Sequence, residues 1–136
     1  MSRKDARECA YKLIFEYLFN REESDTREIM FAASPDMSDG DKQYINDIVD
    51  GVKANFDELK AFIAPYVSHF DIDRVFKPDF AVLLLAVAEM RYRDDIPLKV
   101  TIDEAVELSK KYSVENGYKF VNGVLGAISR DMEARD

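Results

Sequence analysis

Few side chains in this sequence could carry covalent or metal chemistry. There is one cysteine, Cys9, and one histidine, His69, too few ligands for a structural zinc site. No nucleophile or carboxylate is positioned around His69, so an exposed loop histidine is expected there rather than a general base. The paired acids Asp94-Asp95 and Asp103-Glu104 suit helix ends and solvated surface better than catalysis. Cys9 falls on the apolar face of the first helical stretch, where a packed thiol is expected rather than a reactive one. A Gly-rich phosphate loop and a G-x-S-x-G elbow are both missing. The expectation is a non-enzyme without a metal or cofactor.

Two patterns suit recognition instead. At about 100° per residue, Arg7, Tyr11, Phe15 and Leu18 line up along the first helix, with Arg3 and Lys4 flanking the row near its start. Cations neutralise phosphates and aromatic rings stack on unpaired bases, a combination that single-stranded RNA rewards. The same rings could equally pack against another helix. Near the other end of the chain, Phe120 sits about a quarter turn off the apolar stripe Val121, Val124, Leu125, Ile128 and Met132, next to Asn116 and Gly123 and with Lys119 further round. It is either a core residue of a broad face or a ring held out for a partner.

These residues need helices to position them. The first helix is expected from Arg3 to Asn20, with Ala6, Cys9, Ala10, Leu13 and Tyr17 on one buried face. A short second helix spans Arg27 to Ala33 and ends at Ser34-Pro35. Ser38 is expected to cap a third, through Tyr44, Ile45, Ile48, Val49 and Val52. A fourth carries Phe56, Leu59, Phe62 and Ile63, and Pro65 kinks or stops it. Pro78 suits the start of a fifth, whose FAVLLLAVAEM is apolar on nearly every side and so must be surrounded by other helices. Thr101 with Glu104 reads as a capping box for a sixth, although Leu98 to Ile102 could form a short strand. Ser113 or Asn116 is expected to cap the seventh.

The totals agree with a single helical domain. The chain has 136 residues, 47% apolar and 34% charged, with five Gly and four Pro, which is the balance of a folded protein of about one domain. A seam is expected in the polar connection 68–77. The net charge of −8 works against indiscriminate binding to nucleic acid or anionic membranes, so any RNA contact must be local. The lone cysteine and the missing apolar leader point to the cytoplasm. The longest apolar run, Phe80 to Ala88, is about half of a membrane span.

The residues resemble the NusB family of bacterial transcription antitermination factors. Arg3-Lys4-Asp5-Ala6-Arg7-Glu8-Cys9-Ala10 is similar to the family's R-R-x-A-R-E-x-A start. Ile96-Pro97, Ile102-Asp103-Glu104-Ala105-Val106-Glu107-Leu108 and Lys119-Phe120-Val121-Asn122-Gly123-Val124-Leu125 follow its C-terminal signature almost position by position. The resemblance implies an all-α fold of about seven helices in two packed three-helix subdomains, at about 1–70 and 71–136. It implies that the protein binds boxA RNA with ribosomal protein NusE and joins an RNA polymerase antitermination complex, notably during ribosomal RNA synthesis. It implies RNA contacts at Arg3, Lys4, Arg7, Phe15, Asn116, Lys119 and Phe120, and a NusE contact at Asp79.

Three positions depart from the family pattern. Asp5 stands where many relatives carry a base, which thins the cationic motif. Asn116 replaces an acid and removes a negative charge near RNA. Phe15 replaces tyrosine, keeping the ring without its hydroxyl. Two other readings remain open at this point: a protein-interaction adapter on the same scaffold without RNA binding, and an accessory domain like those of certain RNA methyltransferases, with no cofactor-binding part in these 136 residues.

Overall fold

In the computed structural model, which describes residues 2–67 and 70–135, the chain opens on a helix because Ser2 caps it. The Ser2 hydroxyl accepts from the Asp5 N–H and the Asp5 carboxylate accepts from the Ser2 N–H, each at 3.1 Å. This reciprocal pair satisfies two of the free donors at a helix start. Helix α1 then runs Arg3–Phe19, α2 Thr26–Ala33 and α3 Asp39–Ala54. As expected, the Ser38 hydroxyl caps α3 by accepting from the Asp41 N–H, with Asp39 and Asp41 at the positive helix end. Helix α4, Phe56–Ile63, tightens into a 3-10 turn at Ala64–Tyr66, where Pro65 removes an N–H. A second 3-10 turn at Ile72–Arg74 leads to α5, Lys77–Tyr92, with Pro78 in its first turn. Helices α6, Leu98–Tyr112, and α7, Gly117–Arg135, complete the chain. His69, expected as an exposed loop histidine, lies outside the described residues.

Helix α5 is the centre. Every residue from Asp79 to Met90 is buried, and α1, α3, α4, α6 and α7 all pack against it. An apolar stretch without a polar side can be covered in no other way. Around it, α1 lies on α3 and α6 on α7. Leu83, Leu84, Leu85, Ile45, Ile48, Leu125 and Ile128 are sealed from solvent, each contributing about 1.5–3 kcal/mol by burial. No strand occurs among the described residues, so the short strand weighed for Leu98 to Ile102 is instead the first turn of α6. No helix among them is long and apolar enough to cross a membrane.

One helix start differs from expectation. The Thr101–Glu104 capping box does not form, because α6 begins four residues earlier, after Pro97. Proline's fixed φ favours that start, and the Thr101 side chain is drawn inward to a buried carboxylate. At α7, Ser113 closes α6 by donating its N–H to the Ser109 carbonyl at 2.8 Å. Asn116 adopts a left-handed φ of 70°, the conformation asparagine tolerates better than most residues.

Candidate nucleic-acid interface

The first helix has a wider buried face than its apolar spacing suggested. Ala6, Ala10 and Leu13 are buried as expected, but so are Arg7, Tyr11 and Ile14, while Cys9 and Tyr17 are half-buried. The two rows read as separate stripes therefore form one broad face turned toward α3, α5 and α6. Burial pushes the Cys9 thiol up, away from thiolate reactivity at neutral pH.

Arg7 differs most from its expected role. Its residue is only 4% exposed. Its Nε donates to Glu89 Oε2 and its Nη2 to Glu89 Oε1, both at 2.9 Å. Glu89 lies on α5 and is fully buried. The Tyr44 hydroxyl of α3 donates to Glu89 Oε2 at 2.6 Å, and the Thr101 hydroxyl of α6 donates to Oε1 at 2.8 Å. Each carboxylate oxygen thus accepts two hydrogen bonds, which is what a charge removed from water requires. Burial would lower the Arg7 guanidinium, yet Glu89, with Tyr44 and Glu104, outweighs it and the net shift is upward. The Tyr44 hydroxyl is also pushed up, by burial first and then by Glu89. In this arrangement the Arg7 Nε and Nη2 are turned into the interior and Nη1 faces Glu104 at 3.8 Å.

The flanking cations are more open. Lys4 is exposed, its Nζ only loosely near Glu104 at 3.9 Å. Arg3 is partly exposed; its Nε donates to Asp41 Oδ1 at 3.3 Å while its guanidinium lies over the Tyr44 ring.

Further along α1, Tyr11 stacks on Tyr112 of α6 with centroids 4.9 Å apart, and Phe15 stacks on Tyr11 and meets Phe19 edge-on. The Tyr11 hydroxyl donates to the Pro78 carbonyl at 3.2 Å; burial, with Asp79 adding to it, pushes that hydroxyl up to about 12. Tyr112 donates to Glu8, which also receives Lys111 Nζ at 2.6 Å. These bonds tie the middle of α1 to the end of α6 and the start of α5. Phe15 remains half-buried and Phe19 exposed.

The start of α7 joins the same region through Asp79. That residue, expected to face a protein partner, is instead 5% exposed and accepts from the Ser109 hydroxyl at 3.1 Å. A Cβ on Gly117 would lie 2.7 Å from Ser113 Oγ and 3.1 Å from Asp79 Oδ1, so only glycine lets α7 begin this close to α5. Asn116 and Lys119 are exposed. Phe120 is half-buried and stacks on Phe70, centroids 5.8 Å apart. Together with Pro65, Tyr66, Lys119 and Gly123 they line an open groove of about 490 Å³. Phe70 was missed in the sequence because it lies in an aperiodic connector.

The geometry thus joins Phe15, through Tyr11 and Tyr112, to the junction where Asp79 meets Gly117, one helix turn from Phe120. The half-exposed rings of Phe15, Tyr112 and Phe120, with lysines nearby, can hold unpaired bases and their phosphates.

The comparisons agree with this frame. The family model described as NusB family matches residues 4–130. The transcription antitermination protein NusB of Natranaerobius thermophilus is 34% identical over 135 residues, covering 97% of each chain. Among solved structures, a NusB of T. maritima superposes with a TM-score of 0.85 at 32% identity, covering 96% of this chain and 92% of that one. A crystal structure of antitermination factors NusB and NusE in complex with dsRNA superposes with a TM-score of 0.83 at 27% identity, covering 95% and 96%. A match of this length, over helices that wrap one buried α5, makes the chain a member of the NusB family.

Proposed function

We propose that the protein is an RNA-binding transcription antitermination factor that acts with ribosomal protein NusE on boxA-type RNA, in an RNA polymerase antitermination complex in the cytoplasm. The observation that carries this reading is the likeness to a transcription antitermination protein along 97% of the chain. It acts by recognition, without bond chemistry of its own.

The RNA-facing residues are Arg3, Lys4, Phe15, Asn116, Lys119 and Phe120. Their exposed or half-exposed placement supports this assignment. With a net charge of −8, the protein attracts RNA only locally, so few phosphates are neutralised and the partner completes the surface. NusE is received beside the start of α5. There the rings of Phe19 and Phe76 are 63% and 50% exposed, and the Lys77 ammonium lies 5.5 Å from the Phe19 ring. Large apolar groups left open beside a cation are a feature of protein interfaces.

The test is a fluorescence anisotropy titration of boxA RNA, a scrambled strand and a duplex of the boxA sequence, each with and without NusE. Preference for the boxA single strand, larger with NusE, is expected. Equal binding of boxA and scrambled strands at moderate salt refutes the reading. The burial of Arg7 favours a second reading, an adapter without RNA binding, because it removes one cation from the N-terminal motif. On that reading Phe120→Ala leaves RNA affinity unchanged while NusE still binds.

A further inference from the structure

The buried Arg7 network shares a group with each of the two cations that flank it. Tyr44 donates to Glu89, and its ring also lies beneath Arg3, whose guanidinium carbon is 4.6 Å from the ring centroid. Glu104 lies 3.8 Å from Arg7 Nη1 and 3.9 Å from Lys4 Nζ. Arg3 and Lys4 thus each rest against a group that the Arg7 network also holds.

We propose that Arg7 is a positioning residue for RNA: its guanidinium touches no phosphate and instead sets, through Tyr44 and Glu104, where Arg3 and Lys4 stand. The proposal rests on the RNA-binding reading above. The Arg7 Nε and Nη2 are held by the fully buried Glu89, and the remaining Nη1 faces Glu104 at 3.8 Å in a side chain only 4% exposed. Drawing the guanidinium out to a solvent-side phosphate, screened by salt, would weaken its hold on a partner in the interior, a poor exchange. The chemistry also needs arginine. A planar fork spans both carboxylate oxygens and leaves the remaining lone pairs to Tyr44 and Thr101, whereas an ammonium is a point charge that cannot span them.

The test compares boxA RNA binding, with NusE present, for folded protein held well below its melting temperature. Arg7→Lys keeps the charge, and lysine binds phosphate well. A phosphate contact would therefore survive it, and a residue serving stability alone would leave the folded protein's affinity unmoved. Here Arg7→Lys is expected to weaken RNA binding roughly tenfold, the equivalent of one charge-assisted hydrogen bond. Glu89→Gln removes a buried negative charge, which would tighten RNA binding if Arg7 reached a phosphate; here it is expected to weaken it. Wild-type affinity in Arg7→Lys, or tighter binding by Glu89→Gln, overturns the proposal.

A measurement on the unmutated protein covers the case in which these variants do not fold. Phenylglyoxal, mapped by mass spectrometry, should leave Arg7 intact under conditions that modify the exposed Arg130. Modification of Arg7 at the rate of Arg130 overturns the proposal. Failure of the wild-type protein to prefer boxA removes the RNA reading itself; failure confined to these variants or to the labelling removes only the role given to Arg7.

Discussion

Replacing the Arg7–Glu89 pair one side at a time and then together is a direct measure of what holds α1 to α5. Both residues lie at 4% exposure or less, so salt screens them little. Arg7→Met strands the Glu89 carboxylate with only the Tyr44 and Thr101 hydroxyls, and Glu89→Met strands the guanidinium. Each single change is expected to cost about 3–5 kcal/mol, the usual penalty for an uncompensated buried charge. The double variant removes both charges, a step that is often neutral by itself. It leaves two hydroxyls without an acceptor, at about 1–3 kcal/mol each. Its total should therefore be about 2–6 kcal/mol, below the sum of the singles at about 6–10 kcal/mol, giving a coupling of about 4 kcal/mol at mid-range. Urea denaturation followed by circular dichroism reads this directly: at about 1–3 kcal/mol per molar of urea, a single variant shifts the midpoint by about 2 M. Raising sodium chloride should change the coupling little. Single costs below about 1 kcal/mol that simply add, as for an exposed pair, would refute a buried clamp.

Other outcomes test the rest of the surface. Gly117→Ala places a methyl 2.7 Å from Ser113 Oγ and should destabilise by about 1–3 kcal/mol through overpacking, whereas Gly123→Ala meets nothing within 4 Å and should stabilise by about 0.5–1 kcal/mol; paired thermal melts check both. The Glu8 carboxyl is held below its ordinary value by the hydrogen bonds from Lys111 and Tyr112. The stability it contributes is therefore full above the unfolded value near 4.5 and is lost as pH falls through the lower folded value. Wild type should then lose more stability than Glu8→Gln below about pH 4.5 in acid titrations, and parallel curves would count against that link. Phe120→Ala should weaken boxA binding by about 1–3 kcal/mol, the scale of one lost base stack, while Phe120→Tyr retains it in the same anisotropy assay.

The helices were legible wherever a periodic stripe or a cap was complete within one segment. Ser38 with Asp39 and Asp41, Pro78 before an all-apolar run, and Val121, Val124, Leu125 and Ile128 at helical spacing are local signals, and local physics decides them. The roles of Arg7, Thr101 and Asp79 were not legible, for one shared reason. A charged or polar residue is buried only if its partner arrives, and the partner of Arg7 is 82 positions away in sequence. From spacing alone Arg7 belongs to a solvent-facing cationic row, and Thr101 belongs to a capping box. Glu89, fully buried among apolar neighbours on α5, takes both. Asp79 was drawn inward by Ser109 from another helix. Phe120 was recognisable by its offset from the core stripe, but its companion Phe70 was not, since a connector carries no period to depart from.

The central claim is that one surface, built from α1 and the start of α7, meets RNA. Photocrosslinking tests it most directly: boxA RNA carrying 4-thiouridine is bound with NusE, irradiated, and the attached peptides are mapped by mass spectrometry. Crosslinks are expected in the peptides containing Phe15 and Phe120. Crosslinks confined to α2, α3 or α4, with neither of those peptides labelled, would contradict it.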